Sequence, residues 1–383
     1  MILHELIDYT TLRLVWWLLL GVLLIGFAMT DGFDMGVAAL LPFVARTNTE
    51  RRVAINTIGP TWEGNQVWFI LGGGAIFAAW PPLYAISFSG FYLAMFVVLA
   101  ALILRPVAFK YRSKRDDPTW RARWDLALFV GGAVPPVIFG VAVGNVLQGA
   151  PFRLTDDLMP LYDGFFIALL DPFSLMCGLT ALAMLVMHGG AWLGLKADGA
   201  VARRGRICGA IGAVATIVLF AACGVVLALF VDGYRLVGPV VTDGPSNPLL
   251  SEVTRGGSWL VAYDERPWIV VAPALGFVGA AGAFVGLLLR WPGLTFLSSG
   301  LSIFGVISTV GLTMFPFILP SSVMPNASLT VWNASSSHMT LFIMLVSTLI
   351  FLPIVLVYTA WVYRVMWGRV TEKDVTDHAE SVY

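Results

Sequence analysis

Nine runs of predominantly apolar residues constrain this sequence more than any motif in it. They lie near residues 12–36, 61–80, 84–108, 125–147, 164–187, 206–231, 267–289, 294–317 and 339–363. Each approaches or exceeds the roughly 20 residues that a helix needs to cross the hydrocarbon core of a bilayer. In that solvent backbone groups must be satisfied within the segment, which makes each run a helix. With 58% hydrophobic and 12% charged residues and a mean hydropathy of +0.84, 383 residues cannot hide so much apolar surface in one soluble core. The expectation is an all-α polytopic membrane protein with nine transmembrane helices, a single integral membrane domain over 1–383. The first run ends in TDGFDMG and not in a small-residue cleavage site, so it reads as a retained helix.

Lys and Arg alternate between the connections. Arg46, Arg51 and Arg52 follow the first run, Lys110 to Arg123 follow the third, Lys196 to Arg206 follow the fifth, and Arg290 follows the seventh. With Arg105 and the tail residues Arg364, Arg369 and Lys373, one side collects 18 of the 23 basic residues. The positive-inside rule then predicts the N-terminus outside and the C-terminus in the cytoplasm. The zero formal charge is a sum of separated patches and implies no nucleic-acid partner.

The outer loop of about 232–266 is rich in Pro, Gly, Asn and Asp and reads as ordered and turn-rich. A second outer loop, 319–338, carries almost no charge and is expected against the membrane surface or a partner. Gly32 and Gly36, Gly140 and Gly144, Gly205 and Gly209, and Gly282 and Gly286 recur at four-residue spacing, which suits close helix packing. Trp16, Trp17, Trp80, Trp268, Trp291, Trp361 and Trp367 fall near predicted helix ends, as interfacial anchors would. Cys177, Cys208 and Cys223 have no CxxC spacing and read as packing residues.

Redox metals need ligands that the sequence hardly offers. His4 and His378 lie in the termini, His188 at the basic end of the fifth run and His338 just before the ninth. No two suit a mid-membrane haem. The GGG at 72–74 lacks the strand, lysine and hydroxyl of a phosphate-binding loop. What remains is a set of ionisable residues in or near the membrane, which are costly there and therefore functional candidates. Asp31 and Asp34, three residues apart, share a helix face at the basic end. Glu63 opens the second run beside Trp62, Asn65 and Gln66; enclosed by the bundle, it would suit a proton relay. Arg105, Lys110 and Asp125 flank the third connection. Each has a plainer reading: Glu63 as a first-turn carboxylate on the helix dipole, Asp31 and Asp34 as interfacial partners of Arg51 or Arg52, Asp125 as a counter-ion of the basic loop. A proton-coupled secondary transporter is the other class open to such a chain, although its carboxylates should stand at the midplane of broken helices.

Collinear fragments carry a resemblance along almost the full length: DGFDMG (31–36), GPTWEGNQVW (59–68), GGAIFAAWP (73–81), SGFYLAM (89–95), RPVAFKYRSK (105–114), GNVLQGAPF (144–152), SNPL (246–249), MFPFILPSS (314–322) and NASLTVWNASSS (326–337). The sequence resembles subunit II of the cytochrome bd quinol oxidases. The resemblance implies nine helices as two four-helix bundles plus a peripheral one, in the bacterial cytoplasmic (inner) membrane. It implies a subunit without haem, paired with a subunit I that holds haem b and haem d and reduces oxygen with electrons from ubiquinol or menaquinol. Small single-helix accessory subunits, membrane lipids and a bound quinone belong to the same picture. The resemblance also implies a cytoplasmic proton path, on which the acidic residue of the W-acid-G-N-Q-V-W motif falls on Glu63. Asp34, Asp31 and Asp125 are candidates for the same path, with Asn65, Gln66, Trp62 and Arg105 as polar support. A second acidic position of the family falls on Lys110, and Asp125 or groups from subunit I could take its place.

Overall fold

The computed structural model describes residues 3–377; His378 lies outside them. The first apolar run becomes helical where the Asp8 carboxylate accepts the Thr11 amide at 2.8 Å, an N-cap that satisfies one of the free donors of a helix start. The resulting α1 (Tyr9–Val44) has 36 residues, about 54 Å at the usual rise. It outruns its apolar stretch and forms the central post of the molecule, since residues 31–41 are buried on every side.

A capped helix, α2 (Asn48–Asn56), follows in the first connection. The long helices then run α3 (Trp62–Ala79), α4 (Pro81–Gly90), α5 (Tyr92–Tyr111), α6 (Pro118–Gln148), α7 (Pro172–Lys196) and α8 (Gly199–Phe230). After the short α9 (Val261–Glu265) come α10 (Val271–Leu289), α11 (Pro292–Met314), α12 (His338–Val365) and the short α13 (Glu372–Asp377). Every predicted run overlaps a helix, most of the helices extending past the predicted bounds because helices continue into polar flanks. The third run is split: Pro81 and Pro82 start α4, and the chain breaks at Phe91. A β-carbon on Gly90 would sit 2.4 Å from the Tyr162 ring, so the helix end there needs a residue without a side chain. Eight helices among the described residues are long and apolar enough to cross a membrane. The second expected span, α3, is helical over 18 residues but opens with Glu63, Asn65 and Gln66.

α1, α3, α5 and α6 pack as one group, and α7, α8, α10 and α11 as another; α1 and α6 lie against α7 and join them. α12 touches α1 and α3 from outside and is largely exposed. Small residues set the joins. A β-carbon on Gly36 would fall 2.0 Å from the Leu185 carbonyl oxygen, and one on Gly189 would fall 2.4 Å from the Gly36 carbonyl carbon. Only glycine at both positions lets α1 and α7 cross this closely, as small-residue pairs do in lipid.

Cross-links define the two ends. At the basic end Arg51 and Arg112 meet Asp125, Arg204 meets Glu50, and Lys196 Nζ donates to the Met366 carbonyl at 2.7 Å. At the other end the loops fold onto their own chain. Antiparallel ribbons form between β1 (Phe152–Leu154) and β2 (Pro160–Tyr162), β3 (Asp232–Val237) and β4 (Glu252–Ser258), and β5 (Phe317–Leu319) and β6 (Leu329–Thr330). They are minor departures from an all-α fold.

Two sequence readings change here. The uncharged 319–338 loop lies in the chain's own core: Ala327, Leu329, Val331 and Ala334 are fully buried, and Asn326 Oδ1 accepts the Val253 amide at 2.8 Å. Its polar side chains cap backbone and leave no need for charge. Trp16 and Trp80 are buried and not interfacial anchors; the Trp16 indole donates to the Leu341 carbonyl at 2.9 Å. Cys177 and Cys223, distant in sequence, bring their sulfurs to 3.9 Å.

Candidate functional site

Three fully buried charged side chains, Asp31, Asp34 and Arg105, gather where α1 meets α5 and α3. Arg105 on α5 reaches Asp31 on α1 with two parallel bonds, Nη1 to Oδ2 at 2.9 Å and Nη2 to Oδ1 at 2.5 Å. Both side chains are 0% exposed. This fork is the geometry in which arginine binds a carboxylate best. Gly131 on α6 makes room for it, since a β-carbon there would lie 2.7 Å from Arg105 Cγ.

One helical turn on, Asp34 is also fully buried. Its Oδ2 accepts the Asn65 amide at 2.7 Å, and its Oδ1 has no partner among the described residues. Asn65 Oδ1 in turn accepts the Tyr363 hydroxyl at 2.6 Å. The guanidinium thus bonds only the first of the two carboxylates, and the second has a neutral amide as its bonded partner. Asp31 and Asp34 do not pair with Arg51 or Arg52, the interfacial partners that their position in sequence suggested.

Arg51 is taken by Asp125: its Nη1 donates to Oδ2 at 2.6 Å. Arg112 donates from Nε to Asp125 Oδ1 at 2.5 Å and from Nη1 to Asn48 Oδ1 at 3.1 Å. Asp125 therefore clamps the first and third connections together, as the counter-ion reading of it supposes. Lys110 is exposed at the end of α5.

Glu63 lies in the first turn of α3 and is exposed on the surface of this chain. The bundle does not enclose it. Its neighbours along the same outward strip are Val67, Ile70 and Phe77, all exposed. Asn65 serves Asp34 and Tyr363 and not Glu63. Gln66 is half-buried, and the Trp62 indole stacks on Phe109 with ring centres 5.2 Å apart.

Sequence reading missed three groups. Tyr363 is one; nothing local marks it as the third member of the Asn65–Asp34 string. Glu50 is another: Arg204 donates to it at 2.8 and 3.0 Å, and these bonds hold its carboxyl down at about 2. The Thr47-x-x-Glu50 capping box was its available signal. The third is Arg13 on α1, wholly buried at the opposite end. It gives its donors to Ser335, Ser246 and the Thr242 and Gly244 carbonyls.

Two of the histidines hydrogen-bond within the chain. His188 spends Nδ1 on Ser299 Oγ at 2.7 Å and Nε2 on the Met29 carbonyl at 2.9 Å, while His338 Nε2 donates to the Ile7 carbonyl at 2.7 Å. Among the described residues no three His, Cys, Asp or Glu cluster as metal ligands.

Comparison with known proteins is consistent along the whole chain. The family model for cytochrome bd terminal oxidase subunit II matches residues 12–366. Cytochrome bd-I ubiquinol oxidase subunit 2 of Escherichia coli K12 is 46% identical, over 98% of this chain and 100% of its own. The probable cytochrome oxidase subunit 2 of Haemophilus influenzae is 47% identical over the same shares, and cytochrome bd ubiquinol oxidase subunit 2 of Bacillus subtilis is 31% identical over 94% and 97%. A chain of the bd oxidase structure from Geobacillus thermodenitrificans shares the fold with a TM-score of 0.62 at 14% identity, over 93% of this chain and 98% of that one. The match sets aside the transporter reading. This chain belongs to the cytochrome bd terminal oxidase subunit II family and is a subunit of a respiratory oxidase complex.

Proposed function

We propose that the chain is the non-haem subunit of a quinol:oxygen oxidoreductase of the bacterial inner membrane. In this reading it supports a haem-bearing subunit I and carries protons from the basic, cytoplasmic end toward it. The ubiquinol oxidase names of the relatives support the complex. The basic residues gathered at one end support the orientation. α3 is then the ninth span, its polar first turn lying at the cytoplasmic interface.

The observation that carries the proton reading is Asp34. A carboxylate in the membrane with a neutral partner on one oxygen and, among the described residues, none on the other has an atom free to take a proton. An amide is a poor proton carrier, so Asn65 is a positioning residue, Tyr363 acts on the carboxylate through its bond to Asn65, and the proton is exchanged at Asp34 Oδ1. Asp31 is neutralised by Arg105 and supplies a fixed dipole beside it. Asp125, tied to two arginines, closes the cytoplasmic end and is not a carrier. Glu63 stands outside this chain's own bundle, on a strip of exposed apolar residues that suits contact with subunit I. Covered there, it becomes the carboxylate at the seam between subunits. Oxygen reduction is supplied by the haems of subunit I, with ubiquinol or menaquinol as electron donor; this chain's residues hold and move protons.

Glu63→Gln and Asp34→Asn in the assembled complex should each slow oxygen reduction and proton uptake while leaving the haem spectra intact. Undiminished turnover in both variants would leave only a scaffold role.

A further inference from the structure

We infer that the basic end of the second helix group holds the phosphate of an anionic phospholipid, between Arg206 on α8, Arg290 at the junction of α10 and α11, and Arg369 beyond α12. The three line a cavity of about 240 Å³ whose wall, among the described residues, has no carboxylate. Among the described residues none of them makes an ion pair or a side-chain hydrogen bond.

Several basic neighbours at the same end are already partnered. Arg51 and Arg112 are spent on Asp125, Arg204 on Glu50, and Lys196 on a carbonyl. Three guanidinium groups around one space, close enough for Arg290 and Arg369 to act on the charge of Arg206, repel one another unless an anion is shared between them. Phosphate is the anion whose several oxygens suit more than one arginine fork.

Each arginine is held in place. Gly194 leaves the space beside Arg206, where a β-carbon would lie 3.2 Å from its Cγ. Arg290 ends α10 in the left-handed region at φ 60°, a conformation that non-glycine residues adopt rarely. Arg369 is fixed through its neighbour, since the Val370 amide donates to the Lys196 carbonyl at 2.7 Å.

The surroundings select a lipid over a free ion. Ile207 and Ile211 on α8, Leu288 and Leu289 on α10, and Leu294 and Leu297 on α11 are each more than half exposed, on the helices that form the cavity. A headgroup in the cavity would lay its acyl chains along them, and basic pockets at the cytoplasmic ends of membrane helices are suited to such headgroups. The site is separate from the carboxylates of the proton reading and does not depend on it.

The test uses the purified oxidase complex and native mass spectrometry with phosphatidylglycerol, phosphatidylcholine and inorganic phosphate as probes. Phosphatidylglycerol should stay bound where phosphatidylcholine does not, and excess inorganic phosphate should not displace it. The double variant Arg290→Gln with Arg369→Gln should weaken phosphatidylglycerol binding about tenfold or more, with haem spectra intact as a check on assembly. Arg290→Lys should retain most of the binding, and Arg115→Gln, in the connection between α5 and α6, should leave it unchanged. Binding within twofold of the parent in the double variant, or full displacement by inorganic phosphate, would overturn the proposal. Should the double variant fail to assemble, Arg206→Gln alone gives the same reading.

Discussion

Removing Asp31 tests the energetics of the buried fork directly. Asp31→Ala takes from the Arg105 guanidinium, which is at 0% exposure in the parent, both of its bonds to carboxylate oxygens. At about 4 Å between charge centres and an effective dielectric of about 20, the lost attraction is about 4 kcal/mol. That agrees with the roughly 3–5 kcal/mol found when one partner of a buried pair is removed. Arg105→Met should cost a similar amount, because it strands Asp31. The double variant should be less damaging than the sum of the two by about 2–3 kcal/mol, since neither charge is then left buried alone. Denaturation of the purified complex, followed by the fraction retaining its fold across a detergent titration, gives the four stabilities of the cycle. Additive effects, or an Asp31→Ala loss below about 1 kcal/mol, would mean that the guanidinium finds water or another acceptor, and the fork would not be the anchor described.

Further outcomes follow from other parts of the fold. Glu50→Gln should cost about 2 kcal/mol, the scale of hydrogen bonds to a charged group, measured in the same titration. Because the folded carboxyl is held down at about 2 against an ordinary 4.5, its contribution is fully present above pH 4.5. It fades as pH falls toward 2, so parent and variant should converge in acid; a gap that persists there would refute the pairing. Gly36→Ala should abolish assembly or cost at least about 1–3 kcal/mol, because its β-carbon meets the Leu185 carbonyl. Gly73→Ala, whose β-carbon meets nothing within 4 Å, should be neutral or stabilising by up to about 1 kcal/mol. Tyr363→Phe should lower turnover a few-fold with unchanged haem spectra if it positions Asp34 through Asn65; unaltered turnover would remove it from the site.

The helices were legible because the bilayer imposes a length and an apolar composition on each one, and alternating basic loops number them independently. Their ends were less so. α1 continues eight residues past its expected end and α7 nine past its own, because a helix stops where a cap or a turn stops it and not where hydropathy falls. The 319–338 loop misled for a related reason. Absence of charge marks burial, and sequence does not say whether lipid, a partner or the chain itself does the burying.

The carboxylates show the same limit at the level of chemistry. The three-residue spacing of Asp31 and Asp34 correctly puts them together, but spacing on one helix cannot choose partners on another. Arg105, in a different run, takes Asp31, and Asn65 takes Asp34. Glu63 and Asn65 stand only two residues apart, about 200° around a helix, so they cannot share a face. The polar cluster WEGNQ therefore has to divide: Asn65 turns in to the bundle and Glu63 turns out to its surface. A string of polar residues that reads as one site in sequence becomes two sides of a wall. The carboxylate on the outer side gains an enclosed environment only when a second subunit covers it, which makes any proton role of Glu63 a property of the assembled oxidase and not of this chain alone.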